Sequence, residues 1–174
     1  MSGGADAGAV AAPSPRPRAN PDAYGSADSA KARTTFPLPD VEWEPTREYW
    51  AGAAAGELRL PFCVACGRAN WYPQAACSSC EGTVFAWRAV SGKGTLFSYS
   101  VVRHPFLPQY ADLLPMVAAV VSLDDVPDVR IVTRLVDCDP DELVCDAPVE
   151  VVFGPLEFKG IHGKVVAPLF RLRH

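Results

Sequence analysis

The sequence predicts a mainly β protein in which one short helix precedes a cysteine-rich ribbon and a small closed barrel. Three observations predict this class. Four cysteines stand in two close pairs, short segments of alternating apolar and polar residues fill the second half of the chain, and only one segment there suggests a helical turn. The 174 residues, 49% of them hydrophobic and with a net charge of -4, suit one compact core better than two.

Residues 1–40 predict a disordered tail. They contain ten Ala and six of the seventeen Pro of the chain, with few large apolar residues. Such a segment cannot bury enough apolar surface to offset the entropy lost on ordering. Only its last residues, from Phe36 to Pro39, are expected to extend and dock on a neighbouring surface.

The composition indicates a cytoplasmic protein without a membrane span. No window reaches the roughly 18 consecutive apolar residues that cross a bilayer, and residues 1–30 lack a basic start followed by an apolar core. In a reducing cytoplasm, cysteines in close pairs are typical of metal ligands rather than of disulfides. The acidic net charge also argues against a nucleic-acid partner.

A helix is the first element expected after the tail, within residues 41–57. Thr46 is a candidate N-cap, Glu48 favours the first turn, and Gly56 is a candidate stop. Three large aromatic residues are concentrated near its start: Trp43, Tyr49 and Trp50. Such residues either cover a small core or anchor a partner protein.

Residues 58–90 predict two strands joined by a metal-binding hairpin. Residues 58–62 alternate as a strand into the first cysteine, and residues 83–90 form the strand that leaves the hairpin. Each cysteine pair encloses two residues, and ten residues separate the pairs, which are Cys63 with Cys66 and Cys77 with Cys80. Gly67 and Gly82, which follow the pairs, are expected to relieve the two turns.

This cysteine spacing predicts a rubredoxin-like zinc ribbon. Two such turns can place four thiolates in a tetrahedron around Zn²⁺, with Zn–S distances of about 2.3 Å. Four thiolates leave no open coordination position, so the ion is expected to be structural and not catalytic. Iron remains an alternative because it accepts the same sulfur geometry, and a pair of disulfides is a second one.

Residues 91–174 predict a five-stranded OB-fold barrel. Strands are expected at residues 95–103, 116–123, 130–136 and 149–153, with Phe97, Tyr99 and Val101 on one face of the first. Residues 139–143 are expected to form the helical turn. A closed barrel is favoured over an open sheet, whose edges would need protection.

The sequence contains no recognisable catalytic constellation. It lacks a Gly-rich phosphate loop, a G-x-S-x-G elbow and an H-E-x-x-H helix. Its three histidines, His104, His162 and His174, are not spaced with a nucleophile and a carboxylate. Cys138 and Cys145 lie outside the cysteine pairs and are expected to be inert packing residues. We therefore expect no catalytic residue in this chain.

At this point the residues resemble a known family. The helix and ribbon are followed by residues 91–99 (SGKGTLFSY), 135–143 (LVDCDPDEL) and 148–151 (PVEV). This order resembles the OB-fold, acyl-CoA-associated zinc-ribbon family long called domain of unknown function thirty-five, over about residues 43–172. Only the long tail departs from the compact family pattern.

The resemblance implies an accessory subunit. Family members are similar to subunits of thiolase-fold thiolases and of the aldolases that cleave acyl-CoA intermediates in steroid side-chain degradation. It therefore implies a thiolase-fold partner, most simply in a two-plus-two heterotetramer, with a CoA thioester as ligand of the complex and with catalysis on the partner.

Chemical grounds alone suggest where CoA and the partner could bind. Lys93, Arg103 and His104 stand near the ends of one predicted strand, where they could meet a phosphate or an adenine. The aromatic cluster of the helix and the apolar loop at residues 106–110 are candidate interface anchors.

Two other functions are compatible with the pattern. One is an OB-fold nucleic-acid binder, since ribbons and OB barrels bind strands through basic grooves and stacking aromatics. Residues 112–157, however, hold eleven acidic residues and only two Arg, which makes a poor cation track. The other is an independent CoA or lipid carrier, which would need no partner.

Overall fold

The computed structural model describes residues 36–105 and 107–173, so the predicted tail lies almost entirely outside the described residues. A 3₁₀ turn at Glu44–Thr46 leads into α1 (Arg47–Ala54), the one α-helix among the described residues. Seven strands follow: β1 (Leu58–Cys63), β2 (Phe85–Val90), β3 (Lys93–Val102), β4 (Met116–Leu123), β5 (Arg130–Leu135), β6 (Pro148–Leu156) and β7 (Val165–Leu172). No helix in this part of the chain is long and apolar enough to cross a membrane.

Helix α1 ends where its sequence indicates. The N–H of Gly56 donates to the carbonyl of Ala53 at 3.1 Å, and the N–H of Glu57 donates to that of Gly52 at 2.8 Å. Gly56 has φ +76°, the left-handed conformation that glycine adopts without strain. This pair of bonds is the Schellman motif, which satisfies the last carbonyls of the helix.

The aromatic cluster of α1 divides between core and surface. Tyr49 is buried, with its ring 4.6 Å from that of Trp71, and it belongs to the main hydrophobic core. Trp43 is 58% exposed, and Trp50 is half-buried at the edge of the core. The two interpretations of the cluster therefore apply to different residues, and Tyr49 cannot reach a partner.

Strands β1 and β2 form the two-stranded ribbon. They pair antiparallel from Leu58 opposite Val90 to Cys63 opposite Phe85, which brings the first and last residues of the hairpin together. Leu58 and Leu60 are almost fully buried and join the same core as the barrel. The ribbon is thus fixed to the barrel through one face of β1.

The other five strands close into the predicted barrel. Their order around it is β3, β4, β5, β7, β6, with β6 returning to β3, and only the contact between β5 and β7 is parallel. Strand β4, apolar in sequence apart from Ser122, alternates in burial because its odd-numbered residues point into the core. Fully buried side chains fill the interior: Leu96, Val121, Ile131, Val149 and Phe170. The mainly β fold with a five-stranded OB-fold barrel is confirmed.

Phe97 does not share a face with Tyr99 and Val101, as the alternation predicted. The register with β4 shifts between Leu96 and Ser98, so one extra residue stands in β3. Leu96 points inward and is fully buried, whereas Phe97 is 53% exposed on the outside. A β-bulge of this kind resets the alternation beyond it, which no local pattern reveals.

The segment at residues 139–143 forms a turn and not a helix. The Asp139 side chain accepts a bond from the N–H of Asp141 at 2.9 Å, and the Glu142 N–H reaches the Asp139 carbonyl at 3.2 Å. Aspartate favours such turns because its side chain competes for backbone N–H groups. The 3₁₀ helix described in this half lies instead at Pro108–Leu113, which overlaps the end of the predicted apolar loop at residues 106–110.

Candidate metal centre

The hairpin between β1 and β2 brings four sulfur atoms together. The Sγ atoms of Cys63, Cys66, Cys77 and Cys80 all lie within 4.8 Å of one another. Two of these separations are 3.5 Å, between Cys63 and Cys80, and 3.6 Å, between Cys66 and Cys77. A tetrahedron with metal–sulfur bonds of 2.3 Å has edges of about 3.8 Å, whereas a disulfide measures about 2.05 Å. The arrangement fits one ion and does not contain disulfides.

The two cysteine turns share one hydrogen-bonding pattern. The N–H of Cys63 donates to the carbonyl of Arg68, and the N–H of Gly67 donates back to the carbonyl of Cys63, both at 2.8 Å. The second turn repeats these bonds at 2.8 and 2.9 Å between the equivalent residues Cys77, Gly82 and Glu81. Identical backbone turns explain why equal spacing in the sequence yields two equivalent pairs of thiols.

Gly82 does not serve the second turn as Gly67 serves the first. The residue with the left-handed backbone in the first turn is Gly67 (φ +75°), and its counterpart is Glu81 (φ +61°). Gly82 provides space instead, because a Cβ there would lie 3.1 Å from the Cys63 sulfur and 3.4 Å from that of Cys80. A side chain at residue 82 would therefore press on the sulfur cluster.

Asn70 is a part of this centre that the sequence did not predict. It is the buried polar residue of the described chain, at 2% exposure. Its Nδ2 donates to the Arg68 carbonyl at 2.9 Å and contacts the Cys77 sulfur at 3.5 Å, while its Oδ1 accepts from the Ser78 N–H at 3.1 Å. A lone Asn between the cysteine pairs carries no periodic signal, so only the folded hairpin shows that it links both turns.

The thiols differ in acidity when no ion is present. The N–H of Ser79, assisted by that of Cys80 and by the Asn70 amide, lowers the pKa of Cys77 to about 6 against the opposing effect of burial. The N–H of Gly82 acts to lower the pKa of Cys80, but hydrogen bonds with the sulfurs of Cys66 and Cys63 raise it to about 12. The cluster thus retains protons that a cation must displace before all four sulfurs can bind it.

The three residues suggested for CoA do not come together. Lys93 is the first residue of β3, whereas Arg103 and His104 follow its last residue. Ten residues of strand separate the two ends by about 30 Å at roughly 3.3 Å per residue. All three are exposed, and Arg103 pairs with Asp141. A single head group can therefore meet Arg103 and His104 but not Lys93 as well.

The two cysteines outside the ribbon differ in burial. Cys138 is half-buried against the core, as expected, and burial raises the pKa of its thiol. Cys145, in contrast, is exposed in a turn and does not pack.

The apolar loop at residues 106–110 is described only in part. Phe106 lies outside the described residues, and the ring centres of Tyr110 and Phe158 are 5.2 Å apart.

Two family models match consecutive parts of the chain. The rubredoxin-like zinc ribbon domain of ChsH2 matches residues 50–86, and the C-terminal OB-fold domain of ChsH2 matches residues 87–154. A DUF35 domain-containing scaffold protein of Methanothermobacter thermautotrophicus is 32% identical over 59% of this chain and 76% of its own length. A probable enoyl-CoA hydratase alpha subunit of Thermomonospora curvata is 32% identical over 81% of this chain, which spans 41% of that protein.

Two solved structures are also similar. A chain of the Ltp2-ChsH2(DUF35) aldolase superimposes with a TM-score of 0.63 and 27% identity, over 78% of this chain and 98% of that one. A DUF35 protein of unknown function from Sulfolobus solfataricus superimposes with a TM-score of 0.52 over 84% of this chain, and its 12% identity supports the fold alone. With its four-sulfur ribbon, its OB-fold barrel and these relatives, the chain belongs to the DUF35 family.

Proposed function

We propose that this chain is a non-catalytic, zinc-binding subunit of a thiolase-fold enzyme that cleaves or forms carbon–carbon bonds in acyl-CoA esters. The observation that carries the proposal is the similarity to a chain of the Ltp2-ChsH2(DUF35) aldolase, which extends over 98% of that chain. The assignment is to an aldolase or thiolase complex in the cytoplasm, with steroid side-chain degradation as the setting that the family resemblance implied.

Zn²⁺ is the ion that we assign to the four cysteines. The sulfur spacing, the room left by Gly82 and the match to a zinc ribbon support this assignment. Zn²⁺ prefers four thiolates in structural sites, and such a complete sulfur shell has no position for water or substrate. The ion would therefore stabilise the hairpin and take no part in the reaction.

The relatives support a role beside an enzyme. The Methanothermobacter relative is described as a scaffold protein, and the Thermomonospora relative as a probable enoyl-CoA hydratase alpha subunit. By similarity we place the nucleophile and the acid and base groups on the partner, a thiolase-fold chain. We assign the complex two copies of each chain.

CoA contacts on this chain are assigned to one end of β3. Arg103 and His104 are adjacent and exposed there, so both can approach one phosphate group, and Arg103 would exchange Asp141 for that phosphate. Lys93, at the opposite end of β3, faces solvent or contacts the partner and takes no part in this CoA site.

Co-expression with a thiolase-fold protein encoded beside this chain tests the proposal. We expect the two chains to co-elute with the mass of a two-plus-two complex and to cleave an acyl-CoA substrate only together. Separate elution at micromolar concentration would contradict the proposed function. Binding of an acyl-CoA by the isolated monomer would then favour the independent carrier, and salt-sensitive binding of single-stranded DNA would favour the nucleic-acid binder.

A further inference from the structure

The outer surface of the barrel has an apolar centre that the core does not use. Val132, in the middle of β5, is 61% exposed, while its neighbour Ile131 is fully buried in the interior. Val120 of β4 lies directly opposite Val132 of β5. The bulge of β3 places Phe97, which is 53% exposed, beside β4. We define the β5 outer face by five residues: Phe97, Val120, Arg130, Val132 and Arg134.

Two arginines, Arg130 and Arg134, flank this apolar centre, and neither forms an ion pair with a carboxylate of the described residues. The Arg130 guanidinium lies 4.4 Å from the centre of the Phe97 ring, and its hydrogen bonds go to neutral acceptors, the Ser122 hydroxyl and the Pro127 carbonyl. Arg134 is half-buried, its Nε has no partner among the described residues, and burial lowers its pKa. Four other arginines of the described chain do form ion pairs with acidic side chains: Arg59, Arg68, Arg103 and Arg171.

A cleft continues the face on the side of α1. It measures about 220 Å³, and its lining includes Val132, Arg134, Trp50 and Met116. Apart from Arg134, no charged side chain lines it. A carboxylate that entered this cleft would satisfy the orphaned Nε and would be screened from water by the aromatic and aliphatic walls.

We propose that the β5 outer face is the docking surface for the thiolase-fold subunit, which presents apolar side chains to Phe97 and Val132 and a carboxylate to Arg134. The proposal rests on the proposed function, because that function supplies the partner. Exposed apolar residues with flanking arginines are typical of protein interfaces. Two arginines on one face that form no ion pair with a described carboxylate are complementary to an acidic partner surface.

Matched pairs of variants in the full-length chain test the surface. Val132→Asp is compared with Val144→Asp, because Val144 is 64% exposed but lies outside this face. Arg134→Gln is compared with Arg88→Gln, since Arg88 also lacks a carboxylate in the described chain and instead lies 5.1 Å from the Phe62 ring. The affinity of each purified variant for the thiolase-fold protein is measured by titration calorimetry at low and at high salt.

We expect Val132→Asp and Arg134→Gln each to weaken binding about tenfold or more, and both controls to stay within about twofold of the wild type. Arg134→Gln should also reduce the salt dependence of the affinity. Zinc content and thermal unfolding of all variants verify that they fold. Should Val132→Asp fold poorly, protection of β5 amides from hydrogen exchange in the wild-type complex replaces it as the test.

The outcomes separate this surface from the proposed function. If the wild-type chain does not bind the thiolase-fold protein, the proposed function and the surface are both wrong. If the wild type binds and the four variants bind equally well, or if Val144→Asp weakens binding as much as Val132→Asp, only the surface is wrong.

Discussion

At the scale of single residues, the backbone and side-chain features of the cysteine hairpin between β1 and β2 each have a separate cause. Gly67 supplies a left-handed backbone, Gly82 supplies room for sulfur atoms, and Asn70 links the two cysteine turns. Glu81 holds a conformation that glycine adopts more readily. The four cysteines are therefore the candidate metal ligands of the hairpin, and Glu81 is its residue with a strained backbone conformation.

Loss of two of the four cysteines should abolish metal binding. We expect a Cys63→Ser, Cys77→Ser double variant to lose the bound zinc, because a hydroxyl is a poor substitute for a thiolate and two sulfurs remain. Elemental analysis of the purified protein should fall from about one zinc per chain to near zero. The matched control is Cys138→Ser, Cys145→Ser, which should retain the zinc. Retention by the first variant would refute the assignment.

Glycine at residue 81 should stabilise the protein. Glu81→Gly removes the steric cost of φ +61° and adds backbone entropy to the unfolded chain, for a net gain of about 0.5–1 kcal/mol in the free energy of unfolding. Gly67→Ala is the converse variant, because a Cβ there meets nothing within 4 Å and only the backbone strain changes. It should destabilise by about 1 kcal/mol in urea unfolding of the zinc-loaded protein. Equal effects of the same sign would contradict this explanation.

Asn70→Ala should loosen the metal site without removing it. The variant leaves the Ser78 N–H and the Arg68 carbonyl without their side-chain partner, at a cost of about 1–3 kcal/mol. Competition with a chromophoric chelator should show a zinc affinity about 10–100-fold weaker, because partners of metal ligands tune binding in this range. Asn20→Ala, in the segment that the sequence predicts to be a tail, is the control and should not change the affinity.

At the scale of elements, the ribbon and the barrel depend on the metal to different degrees. A two-stranded sheet is marginal by itself, and the ends of β1 and β2 are held through the cysteine turns. The barrel has its own interior, which includes Val121, Ile131 and Phe170 at full burial. The two elements nevertheless share one core through Leu58 and Leu60.

Removal of the metal should therefore loosen the ribbon before the barrel. On treatment with a chelator, we expect the amides of Gly67 and Glu81, which donate to the cysteine carbonyls, to exchange much faster with deuterium. The amides of Val121 and Ile131 should keep most of their protection. Simultaneous loss of protection in both regions would show that the barrel needs the metal as much as the ribbon does.

At the scale of the whole molecule, we expect this chain to need a partner for turnover. The four-sulfur site has no open position, and no sequence motif supplies a nucleophile with its base. The pure protein should show no thiolase, aldolase or hydrolase activity on acyl-CoA esters, as measured by release of free CoA or of the cleaved carbonyl product. Activity that co-purifies with this chain through further columns would contradict the expectation.

The sequence by itself determined the element types and the four-sulfur cluster. The cysteine spacing, the stop at Gly56 and the alternation in β5 are local features. A cysteine turn, a helix end or a strand is built from neighbours along the chain. The last strand, β7, contains Pro168 and a run of four buried residues instead of an alternating pattern, so the sequence did not predict its position.

Only the tertiary structure decided which side chains meet. The bulge that turns Phe97 outward depends on pairing with β4. The links made by Asn70 depend on how the hairpin folds back on itself, and the Arg134 Nε lacks a partner among the described residues because of how the strands pack around it. The spacing of residues along the chain determines local backbone geometry. Which face of a strand a side chain occupies, and which residues it contacts, depend on the pairing of distant strands, which a single sequence does not reveal.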